Sequence, residues 1–301
     1  MNGIMKIRAT PQGYLAFDRR SGLNVLIDEV VPEKHSAAPA MVSFSLTNMC
    51  NLLCPHCFVA KGRSYLPISL LAKWLVELDE NGCLEVGFGG GEPLLHPDFS
   101  TICDFVHSRT GMACTITTNG TLLSEKMVES IRGNVDFCRI SMDGWGEVHE
   151  RSRGVPFDSL VSTIANVAGR IRVGVNYLVN DETVGDLERV THLLASLSVE
   201  ELLLLPEIGA RGENLLSESG ISFLRRWVAS YSGPLRLRGS EHTCAEILPS
   251  VLPPGDKDLF RYVHVDANGI MKPDSFASAG IPIGSGSFLD AFYRLRTGDT
   301  Q

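Results

Sequence analysis

Strand-like and helix-like runs alternate from about residue 40 onward, which predicts an α/β protein built on a parallel sheet. Six strand-like runs begin near Met41, Leu84, Ala113, Asp136, Arg172 and Glu201, with short connections to the helical runs between them. Composition agrees: 301 residues, 44% hydrophobic and 21% charged, are those of a globular chain with one large domain and small additions. Sheet order is not legible from alternation, so an open wound sheet and a partial barrel stand equal on these observations.

The elements follow in order. Residues 1–38 hold two strand-like runs, 13–17 and 23–27, separated by Asp18-Arg19-Arg20-Ser21-Gly22, a turn segment that predicts a β-hairpin. Pro32 to Pro39 reads as a connector. In the central region, 39–234, Ser69 is placed to cap a helix whose Leu70, Leu71, Trp74, Leu75 and Leu78 share a face, and Asn81-Gly82 ends it. Val184, Leu187, Val190, Leu193, Leu194 and Leu197 form a second stripe at helical spacing. The last region, 235–301, is less regular. A second hairpin is predicted from Tyr262–Asp266 and Ile270–Lys272, joined by Ala267-Asn268-Gly269. Val263, Val265 and Ile270 give it an apolar face, and Phe288, Leu289, Phe292 and Leu295 give one to a final helix. Together they predict a lid over the central domain.

Charge and hydropathy narrow the function. A formal net charge of −8 argues against broad capture of nucleic acid, although Arg151, Arg153, Arg170 and Arg172 lie close in sequence. No apolar run has the length of a membrane span, and the first residues, MNGIMKIRAT, lack the apolar core of a secretory signal. A cytoplasmic protein with neither nucleic-acid nor membrane partners is expected.

The chemical signal is Cys50-Asn51-Leu52-Leu53-Cys54-Pro55-His56-Cys57, directly after the first central strand. Closely spaced thiolates converge on soft metals and iron–sulfur clusters. A structural zinc site with His56 or a distant residue as fourth ligand is one reading of the residues, but such sites usually pair two separated couples, and no second couple exists here. Three buried thiols are another reading, set against the loop-like context Thr47-Asn48-Met49.

The CxxxCxxC spacing resembles the signature of the radical S-adenosylmethionine (SAM) superfamily. The resemblance implies one 4Fe–4S cluster held by Cys50, Cys54 and Cys57, whose open iron chelates the amino and carboxylate groups of SAM. It implies reductive cleavage of SAM to methionine and a 5′-deoxyadenosyl radical that abstracts hydrogen from a substrate. His56 stands where the family usually places an aromatic residue near the adenine.

Further motifs occur in the family's order. Gly89-Gly90-Gly91-Glu92-Pro93 follows the second strand. It lacks the Gly-Lys-Ser/Thr ending of a phosphate loop. Its resemblance to a Gly-Gly-Glu-Pro stretch implies that Gly90, Gly91 and Glu92 bind the SAM amino group. Thr115–Gly120 and Arg139–Gly144 end the third and fourth strands, where α/β folds place their sites. By the same resemblance Thr117, Asn119, Ser141 and Asp143 line the SAM pocket, and Arg153 approaches the SAM carboxylate. Asn176 and Leu205, near the ends of strands five and six, reach toward the adenine. The resemblance covers about residues 41–210 and favours a partial six-stranded (β/α)6 TIM-like barrel over the open sheet.

Asp266–Asp274 is similar to part of SPASM, the C-terminal extension of radical SAM peptide and cofactor maturases. Asp274 stands where that family has a cluster-binding cysteine, and Cys244 is the one cysteine after Cys138. The extension is therefore a shortened remnant, and no auxiliary cluster is expected. The N-terminal hairpin is either a substrate-docking strand or, the favoured reading, a cover for an edge of the barrel. Cys83, Cys103, Cys114 and Cys138 are expected in the core. The implied substrate is a peptide of the ribosomally made, post-translationally modified type. Alternatives are a small natural-product or cofactor precursor, or a non-catalytic metal-binding or regulatory role on the same fold. The family also implies an electron donor such as flavodoxin or ferredoxin.

Overall fold

The computed structural model describes residues 5–57, 59–209, 214–239, 248, 254–256 and 258–298. Three N-terminal strands, β1 (Met5–Thr10), β2 (Gly13–Asp18) and β3 (Leu23–Ile27), form an antiparallel sheet of their own. The predicted hairpin is its second and third strands. β1 escaped sequence analysis because Lys6 and Arg8 interrupt its apolar residues. Both cations are used in packing.

The central sheet begins with β4 (Met41–Thr47), β5 (Glu85–Gly90), β6 (Ala113–Thr118), β7 (Phe137–Met142), β8 (Val173–Val179) and β9 (Glu201–Pro206). These strands pair in sequence order, each parallel to the next. Helices α1 (Ile68–Glu80), α2 (Phe99–Arg109), α3 (Glu125–Ile131), α4 (Glu147–Arg153), α5 (Phe157–Ala168) and α6 (Leu187–Ser196) connect them, and α7 (Glu218–Ser230) follows β9. Ser69 does not cap α1: the N-cap is Pro67, with no side-chain cap bond, because the chain turns two residues earlier than the apolar stripe indicates. Asn81 ends the helix as expected.

Alternation along each strand separates two environments. Val42, Phe44 and Leu46, Val86 and Phe88, Cys114 and Ile116, Cys138 and Ile140, and Val173 and Val175 are buried in one core beneath the helices. The opposite face carries Ser43, Ser45, Glu85, Gly87, Gly89, Thr115, Thr117, Arg139, Ser141, Gly174, Asn176 and Glu201. In a flat sheet β5 and β9 would lie about 19 Å apart, at four strand spacings. Yet Glu85 is influenced electrostatically by Arg139 and Glu201, and Arg139 reaches over β8 to bond Glu201 at 2.6 Å. The sheet therefore curls around its polar face. This is the expected partial barrel, with a hydrophilic chamber in place of a packed aliphatic interior.

The flanks extend that sheet. β10 (Arg236–Gly239) adds parallel to β9, and β11 (Tyr262–Val265) adds parallel to β4. β12 (Ile270–Lys272) and β13 (Ile281–Pro282) continue antiparallel, and α8 (Phe288–Thr297) follows. The predicted hairpin is present, but it extends the sheet rather than lying over the barrel as a lid. Its buried apolar residues are Val263, Val265 and Met271, with Ile270 half-buried. Helix α8 joins the outer layer: Phe288 packs against Phe44 and Trp74, and Glu77 of α1 accepts from the Phe288 and Leu289 amides at 2.7 and 3.2 Å. The sheet thus continues past residue 234, the expected limit of the central region. No helix among the described residues is long and apolar enough to cross a membrane.

The N-terminal sheet closes the end of the barrel where the strands begin, rather than covering a sheet edge. Leu15 and Phe17 pack on Leu84 and Ala113. Arg8, fully buried, bonds Asp256 Oδ2 at 2.6 Å, the Gly82 carbonyl at 2.8 Å and the Phe260 carbonyl at 3.2 Å. Removing one partner of such a pair strands the other charge away from water, so Arg8→Ala is expected to cost about 3–5 kcal/mol of unfolding free energy. Chemical denaturation of wild type and variant measures this.

His264 gives a second expectation. Its ring is bonded at Nδ1 to Ser43 Oγ (2.7 Å) and faces Ser45 Oγ from Nε2 (3.2 Å). Burial, helped by Lys272, pushes its pKa down to about 4 against the attraction of Asp266 and Asp274 for the protonated ring. The unfolded chain therefore binds the extra proton first. Stability conferred by neutral His264 is complete above an unfolded pKa of about 6.5 and is lost as pH falls toward 4. His264→Gln should reduce the loss of stability between pH 7 and 5 by on the order of 2 kcal/mol, read from denaturation at both pH values.

Candidate active site

Two strand ends are bound into one unit at the mouth of the barrel. Past the β4–β5 ladder, Gly91 N donates to Thr47 O and Glu92 N donates to Met49 O, both at 2.7 Å. This seam requires glycine: Gly90 has φ of +120°, and a Cβ on Gly91 would collide with the Met49 carbonyl. Glu92 has no exposed surface, and its carboxylate extends the seam to β6. Oε1 accepts from Thr118 Oγ1 at 2.7 Å and Leu94 N at 3.2 Å, and Oε2 accepts from Asn119 N at 2.9 Å. Burial raises the Glu92 pKa, opposed by these donors and by Arg153.

Cys50, Cys54 and Cys57 project from the loop after β4 and are half-buried, whereas Cys83, Cys103, Cys114 and Cys138 are fully buried, as expected of core thiols. Burial pushes the Cys54 thiol up, while the Arg153 guanidinium pulls it down. The loop is tied at both ends. Asn51 Nδ2 donates to Thr121 Oγ1 at 2.8 Å, and Asn51 Oδ1 accepts from Asn119 Nδ2 at 3.0 Å. His56 Nε2 lies 3.3 Å from Asp143 Oδ2, which also accepts from Ser152 Oγ at 2.8 Å. Asn119 and Asp143 therefore spend their side chains on the loop and its neighbours.

Arg153 Nε is 2.8 Å from Asp143 Oδ2, but its N–H is not aimed at that oxygen and is buried without a hydrogen-bond partner. Asn176 Oδ1 is likewise buried and unpaired. The Thr117 and Ser141 side chains, on the same inner face, make no hydrogen bond among the described residues and are half-buried. Leu205 lies half-buried on β9, next to Pro206 at its end. Free polar atoms of three types thus face the chamber, and each can serve a ligand. Cys244 and His242 lie outside the described residues.

Several residues of the chamber were not read from the sequence as members of this site. Tyr262 and His264 come to the inner wall with β11, where Ser43 Oγ bonds Tyr262 Oη at 2.6 Å. Arg139 and Arg238 share Glu201, at 2.6 and 3.3 Å. The one available signal was polar alternation within the strand runs, such as Ser43-Phe44-Ser45 and Arg139-Ile140-Ser141.

Known proteins resemble this chain in sequence and in fold. The profile described as "Radical SAM superfamily" matches residues 44–194, half of the chain. The Fe-coproporphyrin III synthase of Methanosarcina barkeri is 26% identical over 59% of this chain and 47% of the synthase. Mycofactocin maturase MftC of Mycobacterium tuberculosis is 28% identical over 54% of this chain and 43% of the maturase. The chain spans about half the length, or less, of such curated relatives. Among solved structures, Streptococcus suis SuiB bound to S-adenosylmethionine superposes with a TM-score of 0.78 at 13% identity, covering 99% of this chain and 89% of SuiB. At that identity the likeness supports the fold. The profile match establishes that the chain belongs to the radical SAM superfamily, whose members work through S-adenosylmethionine and an iron–sulfur cluster.

Proposed function

We propose that the chain holds one 4Fe–4S cluster on Cys50, Cys54 and Cys57 and abstracts hydrogen from a peptide of the ribosomally made, post-translationally modified type. The carrying observation is how the thiols are disposed. They sit half-buried on one loop, and the charges of Cys57 and Cys50 both act on the Cys54 thiol. Structural zinc usually takes two separated ligand couples, and the sequence has no second couple, whereas three thiolates of one loop suit an iron–sulfur cluster. A set of three leaves one iron of a four-iron cluster for SAM.

The pocket beside them fits SAM. Glu92 accepts three hydrogen bonds, and a carboxylate has lone pairs for about four, which leaves capacity for an ammonium group. Gly90 and Gly91 bring the backbone close to the cysteine loop. Arg153 offers an unused N–H for the SAM carboxylate. Thr117, Ser141 and Asn176 offer polar atoms for the ribose and adenine, with His56 and Leu205 at the adenine side. Asn119 and Asp143 act as positioning residues, holding the loop through Asn51 and His56. When bound, cluster and SAM supply reductive cleavage to methionine and a 5′-deoxyadenosyl radical. This chain's residues orient the two, keep water from the radical's path and present the substrate.

The peptide reading draws on mycofactocin maturase MftC and on SuiB, one of whose structures has the precursor peptide SuiA bound. A small natural-product or cofactor precursor is the second reading, favoured by the likeness to Fe-coproporphyrin III synthase. An electron donor of the flavodoxin or ferredoxin class completes either. Anaerobic comparison of peptides and small molecules from cells with and without the protein separates them: a changed peptide mass supports the first, and a changed small molecule with unchanged peptides supports the second.

Anaerobically reconstituted protein should bind about four irons per chain with matching sulfide. Cys54→Ala should lose the cluster, and stoichiometric zinc without iron would overturn the assignment. Glu92→Ala should leave the cluster spectrum intact and weaken SAM binding roughly tenfold to a hundredfold, the effect of losing about 1.5–3 kcal/mol of charge-assisted hydrogen bonding. Anaerobic SAM titration reads this directly, and unchanged affinity would remove Glu92 from the pocket.

A further inference from the structure

The cysteine loop differs electrostatically from the rest of the chain. The protein has a formal charge of −8, yet no Asp or Glu occurs between Glu33 and Glu77. Lys34, Lys61, Arg63 and Lys73 fall within that interval. Among the described residues, Lys61 and Arg63 are exposed and make no ion pair with an acid. Lys61 Nζ lies 3.3 Å from Cys57 Sγ. The segment carrying Arg63 runs back beside the start of the cysteine loop: Gly62 N donates to Asn48 O at 3.2 Å, and Asn48 N donates to Ser64 O at 2.9 Å. Leu53, next to Cys54, is 85% exposed, more than any other large hydrophobic among the described residues.

A single exposed leucine is ordinary. Here it stands beside a cysteine at the protein's redox centre, with two unopposed cations on the same loop system. An apolar contact with a charged rim is the anatomy of a small, transient protein interface. We propose that Leu53, Lys61 and Arg63 form the docking surface for a small acidic one-electron carrier protein. The inference rests on the cluster assignment made above. The carrier's reduced cofactor gives up one electron and the cluster takes one. No bond forms or breaks in that step. The cations raise the encounter rate of an acidic partner, while the net negative charge elsewhere disfavours encounters away from this rim. Lys61 lies beside Cys57, so a partner drawn to this rim docks next to a cluster thiolate.

The test uses the reconstituted enzyme and two reductants, reduced flavodoxin and dithionite, with cluster bleaching followed by anaerobic stopped flow. Flavodoxin-driven reduction of the wild type should slow as ionic strength rises. Arg63→Glu should slow it about tenfold and Leu53→Gln severalfold, with Arg63→Lys close to wild type. Dithionite, which needs no docking, should reduce all four proteins alike. Lys61 is left unaltered because it touches Cys57. Flavodoxin rates that ignore salt and both variants would overturn the proposal. A parallel fall in the dithionite rate would also overturn it, since the loop rather than docking would then be at fault. A wild type that takes up no iron defeats the cluster assignment itself, an outcome distinct from failed docking by an iron-loaded protein.

Discussion

The seam between the ends of β4 and β5 is the constraint on which the site depends. Two backbone bonds, from Gly91 to Thr47 and from Glu92 to Met49, hold the cysteine loop against the glycine-rich turn. Their closeness admits no side chain at Gly91. Glu92 then fixes β6 to the same unit through Thr118 and Asn119. From there the connection passes to the loop again, through Asn119 and Asn51, and separately through Asp143 and His56. Each link is buried or half-buried, so each is costly to leave unmade. These bonds brace the loop from the protein side, which lowers the ordering cost of binding a cofactor.

The same economy governs the barrel. Its outward residues are apolar and lie under helices, so the sheet's cohesion comes from outside. The inner face is relieved of packing and carries glycine, short hydroxyl residues and a charge network. Glu85 is held by Thr115 Oγ1 at 3.0 Å, and Glu201 is shared by Arg139 and Arg238. Burial raises the Glu85 pKa, whereas the arginines outweigh burial at Glu201 and lower it. Two carboxylates of one chamber are thus driven in opposite directions by their neighbours. The N-terminal sheet closes the end of the barrel at which the strands begin, which leaves the strand ends with the cysteine loop as the working face.

Much of this was legible in the residues. The six central strands begin within one residue of the positions read from the sequence, because five of them carry β-branched or aromatic residues and the sixth, β9, is a run of four leucines. The cysteines, the Gly-Gly-Gly-Glu-Pro run and the strand-end motifs are local, and their order in the chain carries the family. Less legible were features made by partners distant in sequence. Ser69 resembles a cap, but capping depends on where the backbone turns. The Asp266–Lys272 region shows a hairpin, but nothing local tells that β11 will lie beside β4, more than two hundred residues earlier.

The sequence by itself determined the thiol triplet, the glycines of the seam and the alternation that divides core from chamber, since each is a property of residue type and spacing. Only the tertiary structure decided that Asn119 and Asp143 turn toward the cysteine loop, that Tyr262 and His264 join the chamber wall, and that Arg8 anchors the N-terminal sheet. The physical reason is that a polar side chain takes whichever partner burial leaves within reach. Reach across a curled sheet is set by strand order and register, which no local pattern contains.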